Sequence, residues 1–461
     1  MTSPYPHYLL LLALLLPGFG HAAPAGEVEF AKGIGAAQAG GNTPRALGQG
    51  VAIEAGDTVT LGSNSFAVLK MTDGTRMTLR PNTAIKFDDY TYRQPDKPDT
   101  MFTSLLRGGV RMVTGLIAKS SPIAAKLTTA TATVGIRGTD FDARICRTDC
   151  AADANRIAQA SEVANVAASA RVATLVGPAS ATGGAGERRI VAEGGPIYPG
   201  EVLETAPNGH AVLVFRDNTK VTVQARSQFR VENFAYNSDS PAEGTMVFNL
   251  LRGGMRMFTG LVGKARPQSV RMTTATATVG IRGTGVDIYS DPDGCAAAGG
   301  APGCTLLTTW EGESVLNPGA ANELSIPVGV FVVQDGPNGA PRQLPVPPPI
   351  MLNVPTPRPD TVPANADQLF SAQEINESDP GLFVYSRDGH LSMTSGDKTI
   401  DIGRGETGFL NADATRLVRA IVTPNFLEFD FVPRPDRLNP SAARLLDLAG
   451  AFRTKAAQVC R

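Results

Sequence analysis

Apolar and polar residues alternate in many short segments of this chain. Residues 76–80 read Arg-Met-Thr-Leu-Arg and residues 220–224 read Lys-Val-Thr-Val-Gln, which is the period of a strand with one buried face. Asp-Gly at 73–74 and Asp-Asn at 217–218 come just before these segments, and both dipeptides tolerate the positive φ of a tight hairpin turn. Short strands separated by turn signals predict an all-β fold made of jelly-roll-like β-sandwich modules.

The string TTATATVGIRGT occurs twice, at residues 128–139 and 273–284. Upstream of it, LLRGGVRMVTGLIAKS at 105–120 matches LLRGGMRMFTGLVGKA at 250–265. Glycine pairs inside strands mark bulges or sharp bends, so we expect the same bend in both copies. The matches predict that one β module is used twice in tandem.

The rest of the sequence divides around these two copies. Ten prolines within 337–364 indicate an extended spacer rather than a domain. Hairpin signals after residue 381 indicate further strands, and the aliphatic residues and glycine of 400–405 are spaced like those of 324–329. The predicted divisions are a first β domain at 45–145, a linker with a short helix at 146–169, a second β domain with extra strands at 170–335, a Pro-rich linker at 336–364, and a small C-terminal β unit with a short terminal helix at 365–461.

An unbroken apolar run at 9–16 lies close to the N-terminus and is followed by small residues before Ala23. The run is too short to cross the roughly 30 Å core of a bilayer, so residues 1–22 are predicted to be a signal peptide that is cleaved after Ala22. We therefore expect a periplasmic or secreted protein with no membrane span after cleavage. The 42 basic and 43 acidic residues, without a long basic stretch, argue against a nucleic-acid partner.

Export changes the interpretation of the cysteines. Cys146 and Cys150 follow the first copy of the repeated string, and Cys295 and Cys304 follow the second. In an oxidising compartment such close pairs are expected to form local disulfides, whereas a metal site needs further ligands at suitable spacing. Cys460 is left over, as a free thiol or an intermolecular bridge.

The motif order resembles a known family. A strand, Asp-Gly-Thr or Asp-Asn-Thr, a second strand, LLRGGxRMxTG and then TTATATVGIRGT are similar to the FecR domain, found in the iron-dicitrate sensor family and in many exported bacterial proteins. The resemblance implies a periplasmic or surface β module that contacts another macromolecule or a cell-wall glycan. The sensor family places a cytoplasmic domain before its membrane span, and an apolar run that begins at Leu9 leaves no room for one. We therefore do not carry iron signalling over to this chain.

Catalytic chemistry requires a positioned acid, base, nucleophile or metal. His210 and His390 are the histidines that remain after the predicted cleavage, and neither belongs to a cluster with metal-ligand spacing. The adjacent acids at 88–89 have Glu-Asn at 232–233 in the second copy, so a two-carboxylate site would exist in one copy alone. We expect neither an enzyme nor a cofactor.

Arginines that recur in both copies are the candidate interaction residues. The candidates for partner binding are Arg107, Arg111, Arg252 and Arg256. The alternative is that they pair with nearby acids or with strand-end carbonyls. The repeated string also carries an arginine with an aspartate five positions later, which predicts the buried structural pairs Arg137–Asp142 and Arg282–Asp287. The other interpretation of this arginine is a binding surface that is displayed twice.

These observations predict a non-catalytic, exported FecR-domain protein that acts as an interaction or signalling module. Its partner is an unidentified macromolecule or a cell-wall glycan. The alternative is a dedicated glycan-binding or cell-wall-binding protein.

Overall fold

A computed structural model describes residues 24–121, 123–154, 168–184, 186, 188–293, 303–337, 339–352, 354–428 and 432–437. Strands predominate among these residues and the helices are short, so the expected all-β fold is confirmed. The predicted signal peptide at 1–22, the predicted terminal helix, Cys295 and Cys460 lie outside the described residues.

The first copy of the repeat folds into a run of short strands followed by long ones. These strands are β1 (Gly26–Lys32), β2 (Gly35–Ala39), β3 (Arg45–Ala46), β4 (Ala52–Ile53), β5 (Asp57–Leu61), β6 (Phe66–Met71), β7 (Arg76–Leu79), β8 (Ala84–Thr91), β9 (Thr100–Val113), β10 (Ala125–Thr128) and β11 (Thr133–Cys146). Helix α1 (Leu116–Ser120) lies between β9 and β10, and helix α2 (Asp149–Ala154) follows β11.

Strand β9 joins two layers of sheet. Its residues before Gly108 pair with β8, and its residues 110–113 pair with β7. Gly108 has φ of +76°, and a Cβ there would lie 2.6 Å from the Cα of Thr83, so the expected bend requires glycine. Apolar side chains from both layers, including Phe87 and Met112, form one core between them.

The second copy repeats this arrangement and adds strands at its end. These strands are β12 (Ala170–Val176), β13 (Ala179–Thr182), β14 (Arg188–Ile190), β15 (Pro196–Ile197), β16 (Val202–Thr205), β17 (His210–Phe215), β18 (Lys220–Val223), β19 (Gln228–Ala235), β20 (Thr245–Phe258), β21 (Val270–Thr273), β22 (Thr278–Asp291), β23 (Cys304–Leu316), β24 (Leu324–Ile326), β25 (Phe331–Asp335) and β26 (Arg342–Leu344). Helix α3 (Leu261–Ala265) corresponds to α1, and α4 (Pro349–Leu352) and α5 (Ala366–Leu369) follow β26.

The strands near the C-terminus complete the first module. They are β27 (Gly381–Ser395), β28 (Lys398–Ile402), β29 (Thr407–Asn411) and β30 (Leu417–Ala420), followed by helix α6 (Asn425–Glu428). Strand β27 pairs antiparallel with β11 along nearly its whole length, as β23 pairs with β22 in the second copy. Leu382, Val384 and Leu391 lie in the first core. The first module is therefore discontinuous, and the second module is inserted between β11 and β27.

This topology corrects the predicted divisions. Strands β27–β30 do not form a separate unit, because β27 pairs with β11 and joins β28, β29 and β30 to the sheet of the first module. The first module also begins at Gly26 rather than at 45. Strand β1 pairs with β4 and β6 as β12 pairs with β15 and β17. We define the first module as residues 26–146 and 381–420, and the second as residues 170–344.

A disulfide closes the loop after β11. Cys146 and Cys150 are bonded, and both pack with Phe383, Phe409 and Phe426 in a small satellite core. The second module has a disulfide-bonded Cys304. Because Cys295 lies outside the described residues, the pairing of Cys295 with Cys304 stays a prediction.

Candidate binding surfaces

A row of polar side chains crosses the outer face of the second module. Thr222, Arg256 and Asp287 are register partners on β18, β20 and β22. The Arg256 guanidinium donates to both Asp287 oxygens at 3.0 Å. Burial raises the pKa of Asp287, and Arg256 opposes that rise. Arg256, a predicted partner-binding residue, is therefore bound within its own module.

The equivalent row of the first module uses more charges. Arg111 donates to Asp140 at 3.0 Å and is buried. Asp142 is fully buried and accepts from Arg80 at 2.9 Å and from Arg387 at 2.6 Å. Both of its oxygens are thus engaged by arginines that lie far away in the sequence. Arg111, like Arg256, is paired within its own module.

The predicted pair Arg137–Asp142 is wrong. Strand β11 is irregular between Arg137 and Asp140, where its register with β27 shifts, and Asp142 is occupied by Arg80 and Arg387. In the second module Asp287 pairs with Arg256.

The remaining candidate arginines whose side chains the structure describes have local contacts. The side chain of Arg282 lies outside the described residues. Arg107 is exposed and its Nε donates to the Asn82 carbonyl at 3.1 Å. Arg252 pairs with the exposed Asp293. A partner-binding role for Arg107 and Arg252 stays a prediction.

A proline-rich segment lies across the polar row of the second module. Thr222 Oγ1 donates to the Pro357 carbonyl at 3.0 Å, and Arg256 Nη1 donates to the Thr356 carbonyl at 2.9 Å. The Arg358 guanidinium lies 3.7 Å from the centre of the Trp310 ring. We call residues 357–360, with the sequence Pro-Arg-Pro-Asp, the second strap.

The same four residue types lie across the first module. Residues 433–436 are again Pro-Arg-Pro-Asp, and we call them the first strap. Thr78, the equivalent of Thr222, donates from Oγ1 to the Pro433 carbonyl at 2.9 Å. Arg434 Nη2 lies 3.4 Å from Asp140 Oδ2. We call the surface formed by Thr78, Arg111 and Asp140, and its counterpart in the second module, the strap grooves.

Our sequence reasoning missed the straps, although a signal was present. The tetrapeptide occurs twice, each time after the last strand of a module. The strands that end each module repeat at a different spacing along the chain from the strands that begin it. Residue 304 of the second module corresponds to residue 381 of the first, and residue 357 corresponds to residue 433. A search for repeats that allowed several offsets would have found it.

A cleft of about 1100 Å³ separates the two modules. Lys119 and Arg137 line it from the first module, and Arg188 and Arg189 line it from the second. Within the described part of the chain, Nε and Nη1 of Arg137 are buried and have no hydrogen-bond partner. Burial lowers the pKa of Arg137, and the carboxylate of Asp401 opposes that shift. Arg137 therefore lines the cleft and carries two buried donors that no described residue engages.

The modules are joined beside this cleft by a buried ion pair. Arg171 on β12 is 1% exposed and donates to Glu406 Oε2 at 2.6 Å and to the Gly194 carbonyl at 2.9 Å. Burial alone would raise the pKa of Glu406, but Arg171 and neighbouring hydrogen bonds outweigh it, so the pKa is lowered. The pair fixes the second module to the β28–β29 loop of the first.

A buried histidine lies in the same junction. His390 is fully buried, and its Nε2 lies 3.0 Å from Asp401 Oδ1. Burial lowers the pKa of His390, although Asp401 acts in the opposite direction. His390 is thus a neutral packing residue of the junction at pH 7.

Comparison with known proteins identifies the repeat. The model of the family described as "FecR protein" matches residues 57–155 and 201–298. The chain contains two FecR domains. A search of curated proteins gives no match. Two crystal structures of a "putative anti-sigma factor" from Parabacteroides distasonis share 13% and 12% identity, each with a TM-score of 0.23, and each match covers 31% of this chain and 58% of the other.

The family match covers only part of each FecR domain in this structure. Strands β1 to β4 precede the first matched region, and β27 to β30 come long after it. The strap that crosses each FecR domain also lies outside its matched region.

Neither a metal-ion site nor a membrane-spanning helix is present among the described residues. The described residues contain no group of three or more histidine, cysteine or acidic side chains that could hold a metal ion. Among the helices of the described segments, none is long and apolar enough to cross a membrane.

Proposed function

We propose that this chain is an exported, non-catalytic interaction module of a signalling type, in which the cleft between the FecR domains receives an acidic macromolecular partner. The observation that carries the proposal is the pair of unpartnered donors on Arg137. A buried donor without a partner costs about 1–3 kcal/mol. A carboxylate or phosphate from a partner would accept a hydrogen bond from this guanidinium and recover part of that cost.

The charges around the cleft support an acidic partner. Lys119 and Arg188 are exposed at its rim. Glu193 and Glu204 also line the cleft, on the side of the second domain. An acidic group would therefore approach along the Arg137 side, where the basic residues of the first domain lie.

An acidic cell-wall glycan is the second candidate. Its carboxylates would make the same contacts with Arg137, so glycan binding at this cleft is our second proposal. Neutral sugars are less suited, because they stack on exposed aromatic rings, and Trp310 is covered by Arg358 and Phe258.

Binding of defined acidic polymers tests the cleft. We expect the full chain to bind poly-L-glutamate, more weakly as salt rises. Arg137→Ala should weaken this binding about tenfold or more, since a hydrogen bond to a charged group is lost. If the partner is a glycan, the chain should instead cosediment with peptidoglycan sacculi.

The controls separate binding from folding. Arg342→Ala removes an exposed arginine that does not line the cleft and should bind like the wild type. If Arg137→Ala binds both polymers as tightly as the wild type, the cleft is not the site. A greatly lowered melting temperature for Arg137→Ala would instead support a structural role for this arginine.

Intact-mass analysis tests export. The periplasmic fraction should contain a chain that begins at Ala23, as the sequence predicts. A full-length product confined to the cytoplasm would contradict this part of the proposal.

A further inference from the structure

The cleft between the two FecR domains has apolar as well as basic walls. Ile123 of the first domain lines it and is 72% exposed. Leu175, Pro178 and Pro207 line it from the second domain, and both prolines are exposed. Ligand-binding clefts commonly combine apolar side chains with a few well-placed polar groups. A ligand in this cleft would therefore meet apolar surface beside Arg137.

The two copies of the repeat show that this apolar surface belongs to the cleft. Three cleft-lining residues are more apolar than the residues at the equivalent positions of the other domain, which do not line the cleft. The cleft residues are Ile123, Leu175 and Pro207, and their counterparts are Gln268, Ala31 and Ser63 in that order. Gln268 and Ser63 are exposed, so a polar side chain suits these positions where they face solvent. Pro178 is the exception, because its counterpart Ile34 is also apolar.

Arg137 supplies the charged part of the same surface. Its Nε and Nη1 are buried and no described residue engages them, and a carboxylate matches the geometry of a guanidinium. A Cβ added to Gly138 would lie 3.4 Å from the Lys119 side chain, so the end of α1, four residues before Ile123, lies beside Arg137. An acid alone would leave Ile123 in water, and an apolar group alone would leave the guanidinium without a partner. A well-matched ligand therefore carries both.

We propose that the partner at this cleft is a protein segment that carries an aliphatic side chain next to an aspartate or glutamate. The acid accepts a hydrogen bond from Arg137, and the aliphatic side chain packs against Ile123 and Pro207. This inference rests on the proposed function, since it concerns the same cleft. It selects a protein segment over an acidic glycan, because a glycan has no aliphatic side chain that would remove Ile123 from water.

Two peptides of equal charge test the proposal on the full chain. The probes are fluorescein-labelled Gly-Leu-Glu-Leu-Glu-Gly and Gly-Ser-Glu-Ser-Glu-Gly, and binding is measured by fluorescence anisotropy. We expect saturable binding of the leucine peptide. The serine peptide should bind about tenfold more weakly, because it buries no aliphatic side chain against the cleft. Arg137→Ala should weaken the binding of the leucine peptide about tenfold as well, through loss of a charge-assisted hydrogen bond.

Matched substitutions of two exposed isoleucines assign the apolar contact. Ile123→Ser should lower the affinity for the leucine peptide about fivefold and so reduce its preference over the serine peptide. Ile34→Ser is the control, because Ile34 is 82% exposed, corresponds to Pro178 and does not line the cleft. This variant should bind both peptides like the wild type. Since both side chains are exposed, both variants should keep the wild-type circular dichroism spectrum.

The outcomes separate this inference from the proposed function. Equal affinities for the two peptides, with poly-L-glutamate binding that still depends on Arg137, would overturn the inference and leave the proposed function intact. Cosedimentation with sacculi, without binding of either peptide, would overturn it in favour of a glycan partner. If Arg137→Ala weakens the binding of no probe, the proposed function itself is contradicted, and the inference falls with it.

Discussion

The two FecR domains have the same strand order but stabilise the face beneath their straps with different chemistry. In the second domain Trp310 lies over the row and its Nε1 donates to Asp287 at 2.9 Å. In the first domain Arg387 occupies the position of Trp310 at the same bulge in the strand pairing and pairs with Asp142. The first domain therefore relies on a buried cluster of charges, and the second on one ion pair and an aromatic ring.

This difference shows that the same strand arrangement accommodates two different sets of side chains beneath its strap. Asp140 of the first domain corresponds to a glycine in the second, and Arg80 corresponds to Gln224. Each extra charge in the first domain has a partner of opposite sign, as buried charges require. The second domain replaces those charges by the stacked pair of Trp310 and Phe258. The first domain should therefore be more sensitive to the loss of a single acid.

Removing Asp142 should have the largest effect. Asp142→Ala leaves Arg80 and Arg387 without their shared carboxylate, and we expect the free energy of unfolding to fall by about 3–5 kcal/mol. Urea unfolding measures the change. Asp287→Ala should cost less, because it strands one arginine and the Trp310 N–H rather than two arginines, and Arg256 keeps the Thr356 carbonyl. An equal or larger loss for Asp287→Ala would contradict the comparison.

The local fold could be predicted from the sequence, whereas the long-range pairing could not. Alternation and turn residues predicted hairpins such as β6–β7 and β17–β18, which form as expected. Nothing local indicated that β27 pairs with β11 across the inserted second module, residues 170–344. Strand pairing depends on the complementarity of two buried faces, and the sequence of one strand does not specify which other strand pairs with it.

The site was predictable to a similar extent. Recurrence drew attention to Arg111 and Arg256, but their partners differ: Arg111 pairs with Asp140, which does not recur, whereas Arg256 pairs with Asp287. Sequence spacing also suggested Arg137–Asp142, whereas an irregularity in β11 separates those two side chains. The dodecamer arginine instead contributes to the cleft between the domains.

The junction between the domains gives the second largest expected effect. Arg171→Ala strands the Glu406 carboxylate, and we expect a loss of about 3 kcal/mol in the free energy of unfolding. Glu27 occupies the corresponding position of β1 in the first domain and is exposed. Glu27→Ala should therefore change the stability by less than about 0.5 kcal/mol, which makes it the matched control. Similar losses in both variants would show that Arg171 acts within its own domain.

The pH dependence of stability tests how the buried histidine of the junction contributes to stability. The folded-state pKa of His390 is lowered below its ordinary value of 6.5. At pH values between the two, the unfolded chain therefore binds a proton at this histidine that the folded chain does not. Stability should be fully present above pH 6.5 and should fall on acidification, by at most about 1.4 kcal/mol per pH unit. The groups that face His390 are Asp401, Arg137 and Arg189.

Substitution of the histidine isolates this contribution. His390→Gln should flatten the decline in melting temperature between pH 7 and pH 5 relative to the wild type. Burial also lowers the pKa of His210, but that residue is half-exposed, so His210→Gln should change the slope less. If His390→Gln leaves the slope unchanged, the protonation of other groups governs the acid response.

The straps give the smallest expected effects and the most direct test of the comparison between domains. Arg358 lies over Trp310 at 3.7 Å, and Arg358→Ala should lower the free energy of unfolding by about 1 kcal/mol through loss of a cation–π contact. Arg434 pairs with Asp140 at 3.4 Å through a side chain that is 41% exposed, and such surface ion pairs contribute little, so Arg434→Ala should cost no more than about 0.5 kcal/mol. Urea titrations of both variants, each repeated in high salt, separate the two contacts, because the ion pair is screened and the ring contact largely is not. A larger cost for Arg434→Ala would reverse the expected order of the two straps.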